Sequence, residues 1–154
     1  MNDTTFDFEY RSVIRMFEEQ AALHPDRDAV VSSRIGLSYE MLNELANKVA
    51  NSLLFLQLQR EESVMVFMPR TLGAYIAELG ILKAGGALIF ANTEYPDDRV
   101  DFMFTDSGTR YVLTTKTVAR ERTALFKRLN MTPLLLEQLV TNPNAENPGI
   151  EPDE

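Results

Sequence analysis

The run Ile81-Leu82-Lys83-Ala84-Gly85-Gly86-Ala87-Leu88-Ile89-Phe90 restricts this chain more than any other stretch. A helical pattern enters it, two glycines stop the helix, and an apolar run leaves as a strand. Upstream, Val64-Met65-Val66-Phe67-Met68 is continuously apolar, as a strand buried on both faces must be. Leu72, Tyr75, Ile76, Leu79 and Leu82 mark the helix between these two strands. The alternation continues beyond Phe90. Val100, Met103 and Phe104 predict a helix that begins near Pro96, a good first helical position, and stops at Gly108. Tyr111-Val112-Leu113-Thr114 follows as a strand, then one helix carrying Val118, Leu125 and Leu129. Pro133-Leu134-Leu135-Leu136 reads as a strand start or an edge. Strand–helix–strand repeated with short links predicts right-handed crossovers. The expected fold is therefore α/β, a doubly wound, mostly parallel sheet with helices on both faces.

The residues before Ser63 read differently. Ser12 predicts the cap of a helix with Val13, Ile14, Phe17 and Ala21 on one face, closed by Pro25. Ala29-Val30-Val31 and Gly36-Leu37-Ser38 read as a small hairpin turning at Arg34-Ile35-Gly36. Ser38 predicts the N-cap of the longest helix. Its apolar stripe is Leu42, Leu45, Ala46, Val49, Leu53 and Leu56, with Glu40, Glu44, Asn47 and Lys48 on other faces. From about Thr141 the chain is rich in Pro, Asn and acidic residues with almost nothing to bury, which predicts a linker or tail. The expected organisation is an extension over 1–11, an α/β unit over 12–140 and a tail over 141–154.

Composition removes several function classes. The 154 residues are 45% hydrophobic and 25% charged, enough for one domain with a real core. A net charge of -8 lacks the electrostatic footprint of a nucleic-acid binder and is repelled by an anionic membrane surface. Without cysteine there are neither disulfides nor thiolate metal sites. No apolar run approaches the roughly 18–20 residues of a membrane-spanning helix. The polar start Met1-Asn2-Asp3-Thr4-Thr5 is unlike a secretory signal, so the expected setting is cytoplasmic, with no nucleic-acid and no membrane partner.

Lys83-Ala84-Gly85-Gly86 superficially suggests a phosphate loop. Such loops lie between a strand and the N-terminus of the next helix, whereas here the helix comes first. The better reading is a helix end, with Lys83 near the negative pole of the dipole and a glycine in the left-handed position. Ser107-Gly108 lacks the preceding glycine of a nucleophile elbow. His24 is the only histidine, with no thiolates for zinc and no nucleophile to serve. Asp97, Asp98 and Asp101 fit the first turns of a helix, where the dipole stabilises carboxylates. Arg110, Lys116, Arg120, Arg122, Lys127 and Arg128 read as a solvated basic surface. A phospho-acceptor receiver domain would need an aspartate at a central strand end. The ends here are Met68-Pro69-Arg70, Ala91-Asn92-Thr93 and Thr114-Thr115-Lys116, so that reading fails.

The residues in order resemble a known family. Phe17-Glu18-Glu19-Gln20-Ala21-Ala22, His24-Pro25-Asp26 and Ala29-Val30-Val31 look like the start of nonribosomal peptide synthetase adenylation domains. Leu37-Ser38-Tyr39-Glu40-Met41-Leu42 resembles that family's first core motif, Leu-Thr/Ser-Tyr-x-x-Leu. Leu82-Lys83-Ala84-Gly85-Gly86-Ala87 matches its second, and Tyr95-Pro96 with Asp106-Ser107-Gly108 continues the pattern. Two departures stand out. Leu88-Ile89-Phe90-Ala91-Asn92-Thr93 replaces the usual Tyr-Val-Pro-Leu/Ile-Asp-Pro, and Gln57-Leu58-Gln59 lacks the usual glycine at the end of the long helix.

The resemblance implies ATP-dependent activation of an amino or related carboxylic acid to an acyl-adenylate. Transfer to the phosphopantetheine thiol of a carrier protein follows. ATP and Mg²⁺ are implied for the parent enzyme, with none expected in this chain. The family's phosphate-gripping loop, its acidic residue for the substrate amine, its ribose-binding aspartate and its lid lysine would all lie beyond Glu154. No catalytic, cofactor or metal residue of the family is therefore carried over. Leu37, Ser38, Tyr39, Leu42, Leu82, Lys83, Ala84, Gly85, Gly86, Tyr95 and Pro96 are expected to serve the fold. The expectation is an adenylation subdomain, inactive alone, partnered by the remainder of its domain and by a carrier protein, and able to self-associate through an exposed face. The alternative is a non-catalytic adenylation-like module that binds a carrier or helper protein.

Overall fold

The computed structural model describes residues 17–31 and 36–150. Helix α1 covers residues 17–23 and stops before Pro25, as a proline demands of the residue preceding it. Strands β1 (Asp28–Val31) and β2 (Gly36–Ser38) pair antiparallel as the expected hairpin. Its turn over 32–35, and the helix start predicted at Ser12 to Ile14, lie outside the described residues. Ser38 caps α2 (Tyr39–Phe55), its Oγ accepting the Met41 N–H at 3.2 Å.

The sheet follows as β3 (Ser63–Phe67), α3 (Leu72–Lys83), β4 (Ala87–Ala91), α4 (Asp97–Ser107), β5 (Tyr111–Thr114), α5 (Lys116–Glu121), α6 (Thr123–Leu129), β6 (Leu134–Leu135) and α7 (Leu136–Leu139). The strands lie in the order β4-β3-β5-β6, and every neighbouring pair is parallel. The path from β3 to β4 runs one way, and the path from β4 to β5 runs back across β3. A single crossover hand therefore places α3 and α4 on opposite faces. Alternation along β3 sorts the core accordingly. Val64 and Val66 pack with Val49 and Leu53 of α2, Ala77 and Ile81 of α3, and Leu136 and Leu139 of α7. Met65 and Phe67 pack with Val100 of α4, Val118 of α5, and Leu125 and Phe126 of α6.

Several expectations need correction. The buried face of α3 is Ala74, Ile76, Ala77, Gly80 and Ile81, while Tyr75 is 42% exposed. Periodicity could not choose a face on a helix that is apolar almost all round. Gly80 makes the choice, because a Cβ there would lie 2.5 Å from Val49 Cγ1, so α2 and α3 meet backbone to side chain. Pro96 occupies the N-cap of α4, one place earlier than predicted. The single helix expected after β5 is two, α5 and α6, broken at Arg122, whose guanidinium is drawn to the loop before α4. Leu56 lies just past α2 and is partly exposed, whereas Asn47, assigned to a polar face, is only 1% exposed.

Asn47 is buried because residues 141–150 form no loose tail. They run along α2 as a strap. Ser52 Oγ donates to the Leu139 carbonyl at 3.0 Å and accepts from Asn142 Nδ2 at 3.1 Å. Asn51 Nδ2 donates to the carbonyls of Asn144 and Glu146 at 3.1 and 3.0 Å. The strap has little apolar surface, as its composition foretold, and is held by amide hydrogen bonds instead.

Candidate functional site

In an open α/β sheet, the crevice at the carboxyl ends of the strands, where the strand order reverses, is where ligands bind. Here that point lies between β3 and β5. Thr71 stands at the N-cap of α3 without a side-chain bond, and Thr115 caps α5 by accepting the Val118 N–H at 3.2 Å. Helix α7 closes the crevice from within the chain. Both carboxylate oxygens of Glu137 accept the Lys116 N–H at 3.1 Å, so an internal anion sits at the start of α5. A Cβ on Gly73 would lie 3.0 Å from Leu136 Cδ2, which shows how tightly α7 packs there. At the neighbouring edge Arg70 pairs with Glu78, and its guanidinium lies 3.8 Å from the Phe90 ring centroid.

The acidic and basic groups singled out in the sequence largely neutralise one another. Arg122 Nε and Nη2 donate to Asp97 Oδ1 at 3.0 and 2.6 Å, and its remaining N–H groups reach the carbonyls of Thr93 (2.9 Å) and Tyr95 (3.0 Å). Its guanidinium also lies 4.9 Å from the buried Phe67 ring. Arg128 bridges Asp98 and Asp101, each at 2.7 Å, and these two carboxylates raise its pKa. Arg110 grips Glu62 through two bonds of 2.6 and 2.9 Å. That contact, helped by the Gln59 N–H and opposed by partial burial, lowers the Glu62 pKa. Three of the six residues read as a solvated basic surface are thus tied into internal ion pairs. Sequence spacing alone does not show this, since each pair joins separate elements.

The motif residues fall into two places. Leu37, Ser38, Tyr39 and Leu42 build the β2–α2 junction, where Leu37 and Leu42 are buried and the Tyr39 ring lies 5.5 Å from that of Phe17. Leu82, Lys83, Ala84, Gly85 and Gly86 form the end of α3. Gly85 has φ +82° and donates its N–H to Leu82, while the Gly86 N–H reaches Ile81, both at 3.0 Å. Tyr95 and Pro96 lead into α4, and Arg99 stacks 3.7 Å from the Tyr95 ring centroid. Lys83 is the unexpected one. It is 3% exposed, with Nζ 2.9 Å from Glu18 Oε2 and 3.2 Å from Asn147 Oδ1. Burial pushes its pKa below the usual lysine range, and the Glu18 carboxylate opposes that shift. His24 follows α1, where its backbone N–H donates to the Gln20 carbonyl at 2.8 Å.

Among the described residues no cluster of three or more His, Cys, Asp or Glu side chains is placed to hold a metal ion. Among the described residues no glycine-rich strand-to-helix turn presents free N–H groups to a phosphate. Among the described residues the donor set at the crevice does not fit a nucleotide with its magnesium: Asp97, Asp98 and Asp101 of α4 are committed to Arg122 and Arg128, and Glu137 occupies the start of α5. Nor is any described helix long and apolar enough to cross a membrane.

Comparison with known proteins places the chain in a family. The model of a family described as AMP-binding enzyme matches residues 17–149. Tyrocidine synthase 1 of Brevibacillus parabrevis is 43% identical over 110 residues, covering 71% of this chain and 10% of that protein. Tyrocidine synthase 2 of the same organism is 37% identical over 152 residues, covering 98% of the chain and 4% of that protein. The chain thus spans a tenth or less of these curated relatives. The crystal structure of the nonribosomal peptide synthetase FmoA3 superimposes with a TM-score of 0.76 at 28% identity, over 92% of this chain and 15% of that one.

Proposed function

Because this chain belongs to the AMP-binding enzyme family, we propose that it is the opening α/β part of an amino-acid-adenylating enzyme of nonribosomal peptide synthesis. The parent reaction joins an amino or related carboxylic acid to AMP at the expense of ATP and releases pyrophosphate. The acyl group then passes to the phosphopantetheine thiol of a carrier protein. The observation that carries this reading is the family match, which runs unbroken from α1 through the sheet to the end of the strap. The similarity to peptide synthetases favours it over a non-catalytic interaction module.

In this reading the residues that grip ATP and Mg²⁺ belong to other parts of the parent enzyme, and the present unit forms one wall beside them. Residues 12–140 make the α/β unit and the strap lies against it. The motif residues Leu37, Ser38, Tyr39, Leu42, Leu82 to Gly86, Tyr95 and Pro96 serve this architecture rather than the chemistry. Exposed Phe55 and Phe102, 86% and 68% accessible, supply apolar surface for the remainder of the domain or for self-association. The setting is cytoplasmic.

The test is a chimera in which the matched part of this chain, aligned over 110 residues, replaces its counterpart in tyrocidine synthase 1. Amino-acid-dependent exchange of pyrophosphate into ATP is the expected result. A folded, soluble chimera without that exchange, beside an active parent, contradicts the assignment.

A further inference from the structure

Three segments that are remote in sequence meet at one buried ammonium group. Helix α1 contributes Glu18, at 2.9 Å from Lys83 Nζ, and the Phe17 ring, whose centroid is 6.0 Å away. Helix α3 contributes Lys83 itself. The strap contributes Asn147, whose Oδ1 accepts from Lys83 Nζ at 3.2 Å, from Asn43 Nδ2 at 3.2 Å and from Asn47 Nδ2 at 3.0 Å. Asn43, Asn47 and Asn51 recur every four residues, so they form one row on α2. Each donates its amide to the strap, and Asn47 Nδ2 also holds the Ala145 carbonyl at 2.9 Å. The strap in turn is pre-shaped by its own asparagines: Asn142 and Asn144 accept the N–H groups of Asn144 and Glu146 at 2.9 and 3.0 Å.

We infer that Lys83 is a positioning residue that couples α1 to the strap, forming a latch in which release of Glu18 loosens Asn147 and release of Asn147 loosens Glu18. The physical reason is shared desolvation. An ammonium group this buried is tolerated only while charged and polar partners replace its water. Removing either ligand leaves the same cation under-solvated, so the lysine moves toward solvent and abandons the other ligand. No described hydrogen bond joins Glu18 directly to the strap, so communication between them passes through the cation. The coupling is a property of this chain, whatever the assignment of its activity.

Amide-proton exchange read by NMR on the full 154-residue chain tests the latch. Exchange is followed at Asn144 and Glu146 of the strap, whose N–H groups are hydrogen-bonded, and at Ala21 to Leu23 of α1. Glu18→Gln should speed exchange in the strap about tenfold, the size of one hydrogen bond to a charged group. Asn147→Ala should do the same in α1. Ser52→Ala, which cuts bonds to Leu139 and Asn142 at the far end of the strap from Asn147, should leave exchange in α1 unchanged. On a Lys83→Met background, Glu18→Gln should no longer affect the strap, and Lys83→Arg should restore the effect. Should Lys83→Met fail to fold, the reciprocal Glu18→Gln and Asn147→Ala effects decide alone. Strap exchange unchanged within twofold in Glu18→Gln, or a strap effect that persists in folded Lys83→Met, overturns the inference.

Discussion

Helices α2 and α3 end in the same hydrogen-bonded turn but with different residues at its critical position. At α3, Gly86 N–H reaches Ile81 and Gly85 N–H reaches Leu82, with Gly85 at φ +82°. At α2, Leu58 N–H reaches Leu53 at 3.0 Å and Gln57 N–H reaches Leu54 at 2.9 Å, with Gln57 at φ +65°. A left-handed glutamine costs about 1 kcal/mol that glycine does not. The turn survives because its next residue, Leu58, is 6% exposed and drives the chain back into the core. The α3 turn has no such freedom. A Cβ on Gly86 would lie 3.0 Å from Leu58 Cδ2 and 3.1 Å from the Glu62 carbonyl. The two turns also bond to each other, Glu61 N–H to Gly85 O at 2.8 Å and Ala87 N–H to Glu62 O at 3.0 Å. Glycine is therefore dispensable at the left-handed position of α2, where Leu58 does the anchoring, and required one place beyond that position in α3, where Gly86 is pressed against the other turn.

Breaking the anchor should have the largest effect. Leu58→Ala removes the apolar contact that both turns share and should cost about 3 kcal/mol in urea denaturation. Gly85→Ala forces the left-handed strain onto α3 and should cost about 1 kcal/mol by the same measurement. Gln57→Gly should act in the opposite direction and raise stability by about 0.5 kcal/mol, the relief of strain being offset by a more flexible unfolded chain. A Gln57→Gly loss comparable to that of Gly85→Ala would mean that the two turns are not equivalent.

The smallest effect is electrostatic. Arg110 grips Glu62 beside these turns and lowers its pKa from the ordinary 4.5. The unfolded chain therefore binds the Glu62 proton at a higher pH than the folded one. The stabilisation is complete above 4.5 and is lost as pH falls through the folded value. Arg110→Gln should leave the difference between urea midpoints at pH 7 and pH 3.5 smaller than in the parent chain. An unchanged difference would remove this pair from the account.

What the sequence revealed follows the same division. The Ser38 cap and the Gly85-Gly86 stop rest on chemistry within a few residues, and both were legible. Arg122 was not, because its partners Thr93, Tyr95 and Asp97 lie one crossover earlier and only the fold brings them near. The strap was missed for a related reason. A segment poor in apolar residues reads as unpacked unless its donors are recognised, and these lie on α2. The signal was present as Asn43, Asn47 and Asn51 at four-residue spacing opposite Asn142, Asn144 and Asn147. The closed crevice was also illegible: nothing in Leu136-Glu137 announces that its carboxylate will sit at the start of α5.

We propose that this unit shapes an adenylating enzyme without itself holding the nucleotide. Thermal unfolding of the 154-residue chain with increasing ATP and Mg²⁺, then with a mixture of amino acids, tests it most directly. A ligand at 100 times its dissociation constant adds about 2.7 kcal/mol to stability, a shift that is easily seen. The account predicts no saturable rise in melting temperature. A saturable rise with ATP would place a nucleotide site within these residues and contradict it.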